Sequence, residues 1–357
     1  MKTKQKFTED SLRLSRIVMI TIFLLPWMTI TAQDFTKTYY QEKYDVDKGA
    51  SLVIRNKFGE IHCQSWDESS VDITVTVKVD ASTQEKANKV FDKIGVQLSG
   101  TRTKVEGITT VGSISNANYS IDYDIRMPRW IDIDIDNKFG DIYLDESNGL
   151  VKINLEYGAM EANAFNGPKT QLTIKFSNAE AGFMKDGTLN IEYGEWKSSG
   201  AENLQLYSRF SEISIEKLAK LNVDSQYDEI NIGSSGPVIS ISRFSELEFE
   251  KINGDFDFDA EYGDITIHYI SPAFKLGKVR NTFAGASLTF DPKASMNISA
   301  EMDFGELSYP DSHTSLSQET IGYTKNIYKG KIGSAASPTS QLTITTKNAD
   351  VDIDFEE

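Results

Sequence analysis

The sequence has little of the chemistry that most enzyme and metal sites need. Its 357 residues include one cysteine, Cys63, and three widely separated histidines, His62, His268 and His313. One cysteine excludes an intramolecular disulfide. The motifs H-E-x-x-H, G-x-S-x-G, G-x-G-x-x-G and the Walker phosphate loop are all missing. We therefore expect a protein that is not an enzyme, with no catalytic residues and no cofactor.

The sequence has one long hydrophobic run, from Ile17 to Ile30, shorter than the roughly 20 residues that span a bilayer. Basic residues precede this run and "TAQD" follows it, which is typical of a secretory signal peptide. We predict cleavage after Ala32, or one residue later; an uncleaved membrane anchor is the competing interpretation. The mature protein is then exported, in the periplasm or at the cell surface, without stable insertion in a membrane.

The charge of the chain limits its partners. Residues 1–32 contain five basic and two acidic residues, so their removal leaves 32 basic and 51 acidic residues and a net charge of −19. Such a surface repels nucleic acid and anionic lipid. The acidic residues alternate with apolar ones, unlike those of a disordered acidic tail. We expect a protein or glycan of the cell envelope as the partner.

A repeat dominates the sequence. The phrase SRFSE stands at Ser208–Glu212 and again at Ser242–Glu246, with SQYDE between the two copies. Each phrase centres on an aromatic residue, and consecutive aromatics are 17 to 21 residues apart. These residues are Phe139, Tyr157, Phe176, Tyr193, Phe210, Tyr227, Phe244, Tyr262, Phe283 and Phe304, with an isolated earlier relative at Phe58. A fixed period of this kind is the signature of a repeat architecture.

Apolar residues within each repeat predict two short strands joined by a corner. They lie at even distances before the aromatic, as Ile153 and Leu155 do before Tyr157, and at +3 and +5 after it, as Ile213 and Ile215 do after Phe210. A straight strand cannot change its buried face in this way. We predict an all-β fold, a parallel β-solenoid (β-helix) of 17–21-residue coils. The ten aromatics would then form a structural ladder that lines the interior.

The residue before each aromatic alternates in charge. The row reads Lys138, Glu156, Lys175, Glu192, Arg209, Gln226, Arg243 and Glu261. In a parallel stack equal charges would lie about 4.8 Å apart and repel each other. Alternation makes most contacts in the row favourable, so we interpret SRFSE as structural chemistry rather than as an active-site motif.

The rest of the mature chain predicts a cap and an irregular segment. We assign residues 33–127 to an N-terminal β-rich cap with one solenoid-like unit, a long strand and one short helix, and residues 128–357 to the solenoid. Ser82 with Glu85 forms a predicted capping box for that helix. Cys63 falls at a core position. We expect a loop or irregular coil at residues 308–340.

Alternating aspartates are the one candidate for a metal site. The trios are Asp132, Asp134 and Asp136; Asp255, Asp257 and Asp259; and Asp350, Asp352 and Asp354. Stacked carboxylates could collect Ca²⁺, weakly, or serve a polysaccharide-cleaving enzyme as acid and base. A solvated outer face is the simpler interpretation. Trp130 and Trp196 are candidates for sugar stacking or for core packing.

The order of the segments resembles a known family. A leader ending in "TAQ" is followed by "LVIRNKFGEIHCQSWDESSVDITVTVKV", a helix, "IDYDIRMPRWIDIDIDNKFGDIYL" and repeated G-D/E-I-x-I units. This order is similar to that of the bacterial putative-adhesin family, exported domains of unknown function from Bacteroidetes-type envelopes. The resemblance implies a β-solenoid and provides no catalytic residues.

Three functions remain open after the sequence has been read. The leading hypothesis is a non-enzymatic exported protein that presents an acidic surface to a protein or glycan, as an adhesin or envelope scaffold. The alternatives are a carbohydrate-active β-helix enzyme and a periplasmic envelope-stress or regulatory component. An enzyme would need a groove with converging carboxylates, whereas a binding surface can be flat.

Overall fold

The computed structural model describes residues 33–356, and the predicted signal peptide, residues 1–32, lies outside them. Over these residues the prediction of an all-β fold with one helix is confirmed: 28 strands form one large, mostly parallel sheet. Within the described residues, no helix is long and apolar enough to cross a membrane.

The N-terminal part contains seven strands and the helix. They are β1 (Gln33–Asp45), β2 (Ser51–Lys57), β3 (Ile61–Trp66), β4 (Ser70–Ala81), α1 (Gln84–Phe91), β5 (Ile94–Gly100), β6 (Lys104–Val111) and β7 (Asn118–Pro128). Strands β2 and β3 pair in parallel with β6 and β7 on one side and with the next repeat on the other. Strand β4 lies antiparallel between β1 and β7, and β5 lies antiparallel to β6.

Helix α1 begins one residue later than the predicted capping box. Its N-cap is Thr83, whose hydroxyl accepts a hydrogen bond from the Lys86 backbone N–H. The Ser82 hydroxyl accepts instead from the Lys86 side chain. Ala87, Val90 and Phe91 form the buried stripe of the helix, as its apolar spacing predicts.

The repeats supply most of the remaining strands. They are β8 (Asp132–Lys138), β9 (Ile142–Ser147), β10 (Val151–Glu156), β11 (Ala159–Phe165), β12 (Thr170–Lys175), β13 (Asn178–Glu192), β14 (Glu195–Arg209), β15 (Glu212–Gln226), β16 (Glu229–Ser235), β17 (Val238–Arg243), β18 (Glu246–Ile252), β19 (Phe256–Glu261), β20 (Ile265–Ile270), β21 (Leu276–Thr282) and β22 (Ala286–Phe290). We call the strand before each aromatic the entry strand and the strand after it the exit strand. In β13, β14 and β15 the exit strand of one repeat runs directly into the entry strand of the next.

Successive repeats pair in parallel and in one register. Lys138 aligns with Glu156, Glu156 with Lys175 and Lys175 with Glu192, so equivalent positions lie one above another. The predicted alternation of burial is confirmed: Ile153 and Leu155 before Tyr157 are buried, as are Ile213 and Ile215 after Phe210. Apolar residues from entry and exit strands therefore form one continuous core.

The C-terminal repeats depart from sequence order. The strands are β23 (Met296–Asp303), β24 (Leu307–Ser308), β25 (Thr314–Ile321), β26 (Lys325–Ile332), β27 (Ser340–Lys347) and β28 (Val351–Phe355). Strand β27 lies between β21 and β23, parallel to both, so the end of the chain is inserted between two earlier repeats.

The expectation of an irregular segment at residues 308–340 is wrong in its central part. Strands β25 and β26 form an antiparallel hairpin, and β26 pairs with β23. This hairpin covers the strand edge that β23 would otherwise expose, which is the usual way to prevent edge-to-edge aggregation. Its polar, Thr- and Ser-rich composition hides the strand pattern because most of β25 faces solvent.

Candidate functional site

The aromatic residues of the repeats form a continuous column, which we call the aromatic ladder. Ten rings stack face to face from Phe58 to Phe283, with centroids 4.7 to 5.1 Å apart and ring planes within 9° of parallel. Nine such steps make the column about 44 Å long. Parallel pairing fixes this spacing, because it equals the distance between neighbouring strands.

The prediction that the ladder lines the interior is wrong. Side chains from Phe139 to Phe283 are 40 to 48% exposed, and Phe304 is 61% exposed. Phe304 also stacks on no other ring of the described chain, because the repeat that contains Asn348 lies between it and Phe283. The ladder is therefore an external feature, placed along one corner of the stacked repeats.

Backbone conformation explains why the rings point outward. All the ladder residues have positive φ, between 50° and 65°, and Asn348 has the same conformation at 53°. This left-handed region is costly for bulky residues, about 1–2 kcal/mol. It reverses the direction of the side chain at the corner, so the aromatic points out and the small next residue, such as Ser211 or Ser245, is buried.

The small residue at the corner has little room. A Cβ added at Gly158 would lie 2.2 Å from the Gly140 carbonyl oxygen, and one added at Gly194 would lie 2.0 Å from the Ser177 oxygen. A large side chain cannot enter this inner column, so each aromatic occupies the outer position, where it stacks on its neighbours.

The ladder presents ring edges to solvent because neighbouring rings cover each other's faces. Stacking of a sugar on an aromatic ring needs an open face. Between Phe139 and Tyr262 each ring is covered on both sides. The ladder is thus suited to contacts with other apolar edges rather than to sugar stacking.

Three neighbouring pairs of the alternating charge row form ion pairs, as the sequence predicts. Lys138 Nζ lies 2.7 Å from Glu156 Oε2, Lys175 Nζ 3.3 Å from Glu192 Oε1, and Arg243 Nε 3.8 Å from Glu261 Oε2. These pairs are about half exposed, so each is worth roughly 0.2–1 kcal/mol.

One flank of the ladder is strongly acidic, and we call it the exit face. It consists of positions +2, +4 and +6 after each ladder residue, with Asn348 counted as the ladder position of its repeat. Lys197 is its one Lys or Arg. Its acidic members number 17, none of them buried: Glu60, Asp141, Asp145, Glu161, Glu180, Glu195, Glu212, Glu216, Glu229, Glu246, Glu248, Glu250, Asp264, Glu306, Asp350, Asp352 and Asp354.

The other flank is balanced, and we call it the entry face. It consists of positions −1, −3 and −5 before each ladder residue. It carries ten basic residues, which are Arg55, Lys57, Lys138, Lys152, Lys175, Arg209, Arg243, Lys278, Arg280 and Lys347. It also carries ten acidic residues, which are Asp134, Asp136, Glu156, Glu192, Asp224, Asp257, Asp259, Glu261, Glu301 and Asp303. The charge asymmetry of the protein is therefore concentrated on one side of the ladder.

The three carboxylates of the first predicted aspartate trio are already bound by other groups of the protein. Asp134 Oδ2 lies 2.9 Å from Arg55 Nη2 and Asp136 Oδ2 lies 3.9 Å from Arg55 Nε. Asp132 accepts a hydrogen bond from the Leu150 N–H. A cation there would have to compete with Arg55.

The second trio is held in the same way. Asp257 and Asp259 lie next to Arg280, and Asp255 accepts hydrogen bonds from the Lys275 and Leu276 N–H groups. Among the described residues, the group with metal-ligand spacing lies elsewhere: Glu248, Glu250 and His268, whose ligand atoms fall within 4.8 Å of one another on the exit face. The predicted weak calcium binding stays a prediction.

The cysteine and the two tryptophans that the sequence offered as candidates pack in the core or against it. Cys63 is buried, and burial raises the pKa of its thiol to about 12, so it remains a protonated core residue. Trp196 is buried and its Nε1 donates to Ser198 Oγ, so it packs in the core and offers no sugar platform. Trp130 is half-buried against the core.

A buried carboxylate, Asp228, has no counterpart in the sequence analysis. It occupies the inner corner position after Tyr227 and accepts hydrogen bonds from Ser208 Oγ at 2.7 Å and from the Ser211 N–H at 2.8 Å. Burial raises its pKa, although these bonds and Arg209 act in the opposite direction. The other residues of this column are Gly, Ser or Ala, so an aspartate at position 228 was the available sequence signal.

Comparison with known proteins gives structural likenesses. No protein-family model matches the sequence, and no curated protein matches it. The chain is similar to three solved structures: a putative cell adhesion protein from Clostridium sporogenes (12% identity, TM-score 0.17), a putative lipid binding protein from Parabacteroides distasonis (9%, 0.26) and a putative adhesin from Parabacteroides distasonis (10%, 0.24). Each likeness covers 90% of this chain and 100%, 96% and 97% of the other chains, in that order. Two of these three proteins have adhesion names.

Proposed function

We propose that this chain is an exported, non-enzymatic binding protein whose stacked repeats form a parallel β-solenoid and whose exit face binds a basic protein surface. Residues paired between parallel strands of neighbouring repeats are 17 to 21 positions apart in the sequence, which supports the solenoid. The proposal keeps the leading hypothesis of the sequence and narrows the partner from a protein or glycan to a protein with clustered lysines and arginines.

The charge difference between the two flanks carries this proposal. The exit face carries seventeen acidic residues and one lysine, while the entry face carries equal numbers of acidic and basic residues. Glu212, Glu229 and Glu246 occupy aligned positions of three successive repeats, so their carboxylates are neighbours in a parallel sheet. Like charges at this spacing repel each other. A basic partner would relieve that repulsion and would be attracted over a long range.

A carbohydrate-active enzyme is the weaker candidate. Such an enzyme needs two carboxyl groups that converge on one glycosidic bond, one of them with a raised pKa. Among the described residues, Asp228 is a buried carboxyl with a raised pKa, but its oxygens are occupied by Ser208, Ser211 and Gln226. Most exit-face carboxylates project from aligned strands in parallel rows. Glu248 and Glu250 do come within 4.8 Å of each other, but both are exposed and His268 hydrogen-bonds to Glu248.

Binding of a lysine-rich peptide tests the proposal. We expect fluorescence anisotropy to show binding of a labelled peptide of alternating lysine and glycine, with an affinity that falls as salt is added. The variant Glu212→Gln, Glu229→Gln, Glu246→Gln should bind several-fold more weakly.

A matched control separates the exit face from net charge. The variant Glu156→Gln, Glu192→Gln, Glu261→Gln removes three charges from the entry face instead, and it should keep most of the affinity. Equal losses in the two variants, or no binding at low salt, would contradict the proposal. So would cleavage of envelope polysaccharides, measured as new reducing ends.

A further inference from the structure

The aromatic ladder is an exposed apolar column, and three apolar side chains of the entry face lie next to it. Tyr207, Ile239 and Ile241 project from the entry strands and are 43 to 53% exposed. They lie beside the exposed ladder rings of Phe210 and Phe244. The ladder connects these side chains into one exposed apolar surface, with Asp224 aligned between Tyr207 and Ile241 and charged residues around it. An exposed apolar surface with a polar rim is typical of a protein interface.

From this surface we infer that a second copy of the chain packs on the ladder and entry face, with its repeats running in the opposite direction. The two-fold axis would pass between Glu192 and Arg209, at the middle of the alternating charge row. A closed two-fold dimer requires one surface that is complementary to itself. The charge row, the repeat spacing and the available area each meet that requirement.

The charge row is self-complementary when it is reversed. Its eight positions run from Lys138 to Glu261, with basic residues at odd places and acidic or amide residues at even places. Reversal of an even-numbered row pairs odd places with even ones. The pairs are Lys138 with Glu261, Glu156 with Arg243, Lys175 with Gln226, and Glu192 with Arg209. A shift by one repeat would pair like charges, so the pattern also selects the register.

The repeat spacing favours a second copy over an unrelated partner. The ladder rings recur every 4.7 to 5.1 Å over about 44 Å, and a partner must have the same spacing to contact every ring. A second copy of the chain necessarily has the same ring spacing. In the reversed arrangement each tyrosine of one copy lies opposite a phenylalanine of the other, for example Tyr193 opposite Phe210.

The area available is that of a stable dimer. Entry strands of six or seven residues are about 20 Å long at ~3.3 Å per residue. With the 44 Å ladder they cover about 900 Å² on each copy, against about 800 Å² per partner in standard interfaces.

The remaining charges are compatible with this arrangement. It brings Arg55, Asp134 and Asp136 opposite Arg280, Asp257 and Asp259. Arg55 offsets one of the two charges of the first aspartate pair, and Arg280 with Lys278 offsets both charges of the second. The acidic exit faces lie outside the contact and stay open. The dimer therefore goes beyond the proposed function and does not depend on it.

Charge reversal with rescue tests the dimer. Analytical ultracentrifugation of the protein should show a monomer–dimer equilibrium. Glu156→Lys alone and Arg243→Glu alone should each raise the dissociation constant at least tenfold, because each places two like-charged pairs in the symmetric contact. The double variant Glu156→Lys, Arg243→Glu should return close to the wild-type value.

Stability measurements separate the contact from folding. Glu156 and Arg243 lie about 24 Å apart along the ladder of one chain, too far for each to compensate the other within it. The melting temperatures of the two single variants should therefore add in the double variant, while dimerisation is rescued. Lys217→Glu, outside the contact, is the control and should leave the dissociation constant unchanged.

Two results would overturn the inference. One is a protein that stays monomeric at every concentration at which it is soluble. The other is a double variant that dimerises no better than the single variants. A failure of peptide binding at the exit face would not affect either measurement, so the dimer and the proposed function can fail separately.

Discussion

Phe283 and Phe304 occupy the same position of two consecutive repeats, yet Asn348 lies between them. Strand β27 pairs with β21 on one side and with β23 on the other, and it carries Asn348 into the ladder position between the two rings. The repeat that comes last in the sequence is therefore not last in the stack. Its asparagine interrupts the aromatic ladder at this one point of the described repeats.

Replacing Asn348 by phenylalanine should join the two parts of the ladder. The new ring would stack on Phe283 and on Phe304, and each stacked pair contributes about 0.5–1.5 kcal/mol. Asparagine tolerates the left-handed conformation better than phenylalanine does, so the expected net gain is about 1 kcal/mol. Thermal unfolding of Asn348→Phe should show a higher melting temperature. Asn348→Ala, which adds no ring, should show a lower one; equal melting temperatures would contradict the stacking argument.

Phe210 combines favourable stacking with an unfavourable backbone conformation, and two substitutions separate these effects. Phe210→Ala and Phe210→Gly both lose two stacked contacts, about 1–3 kcal/mol together. Glycine adopts the positive φ of 51° without strain. The glycine variant should therefore be more stable than the alanine variant, by about 1 kcal/mol in denaturant unfolding.

Ser214 provides the control for that comparison. It lies on the exposed face of a regular strand, where glycine is the less favourable residue. Ser214→Gly should be less stable than Ser214→Ala. The same order at both positions would show that the ladder conformation is not strained.

Burial of the apolar positions, the parallel register and the charge row could be read from the sequence, because each depends on residues that repeat with a fixed period. The outward direction of the ladder could not be read in the same way. The change of burial after the aromatic shows that one residue is inserted at the corner, but either the aromatic or its successor could be that residue. The successors, such as Gly158, Gly194 and Ser211, are small at every corner except that of Asp228, and this was the available signal that they, and not the rings, lie inside.

The position of the last repeat had no sequence signal. Strands β21, β23 and β27 all have the same alternating pattern, and any of them can pair with any other in parallel. Sequence order then favours consecutive stacking. The structure differs because the hairpin of β25 and β26 covers one edge of β23, which leaves the other edge free for β27.

Gln226 is the one uncharged member of the alternating row, and its replacement by glutamate should stabilise the fold. It aligns with Arg209 on one side and with Arg243 on the other. Gln226→Glu would create two favourable exposed contacts of roughly 0.2–1 kcal/mol each. The melting temperature should rise at low salt and return toward the wild-type value at high salt. Gln226→Lys should have the opposite effect, and a salt-independent difference would rule out an electrostatic cause.

Asp228 should make stability depend on pH in the direction opposite to that of a salt-bridged carboxylate. Burial holds its pKa in the folded protein above the ordinary value of 3.8. Between these two values the folded state binds more protons than the unfolded state, so the free energy of unfolding falls as pH rises through this interval. Asp228→Asn removes this contribution. The stability of the wild type minus that of Asp228→Asn should therefore decrease with rising pH and then become constant.

Asp291 is the matched control, because its pKa is shifted the other way. Tyr269 donates a hydrogen bond to its carboxylate, and the Lys293 N–H donates another, so the pKa of Asp291 in the folded protein lies below the ordinary value. That contribution is present above the ordinary value and is lost as pH falls through the lowered one. The wild-type stability minus that of Asp291→Asn should increase with rising pH. Denaturant unfolding over the acidic range measures both differences, and two differences that change in the same direction would show that burial does not dominate at Asp228.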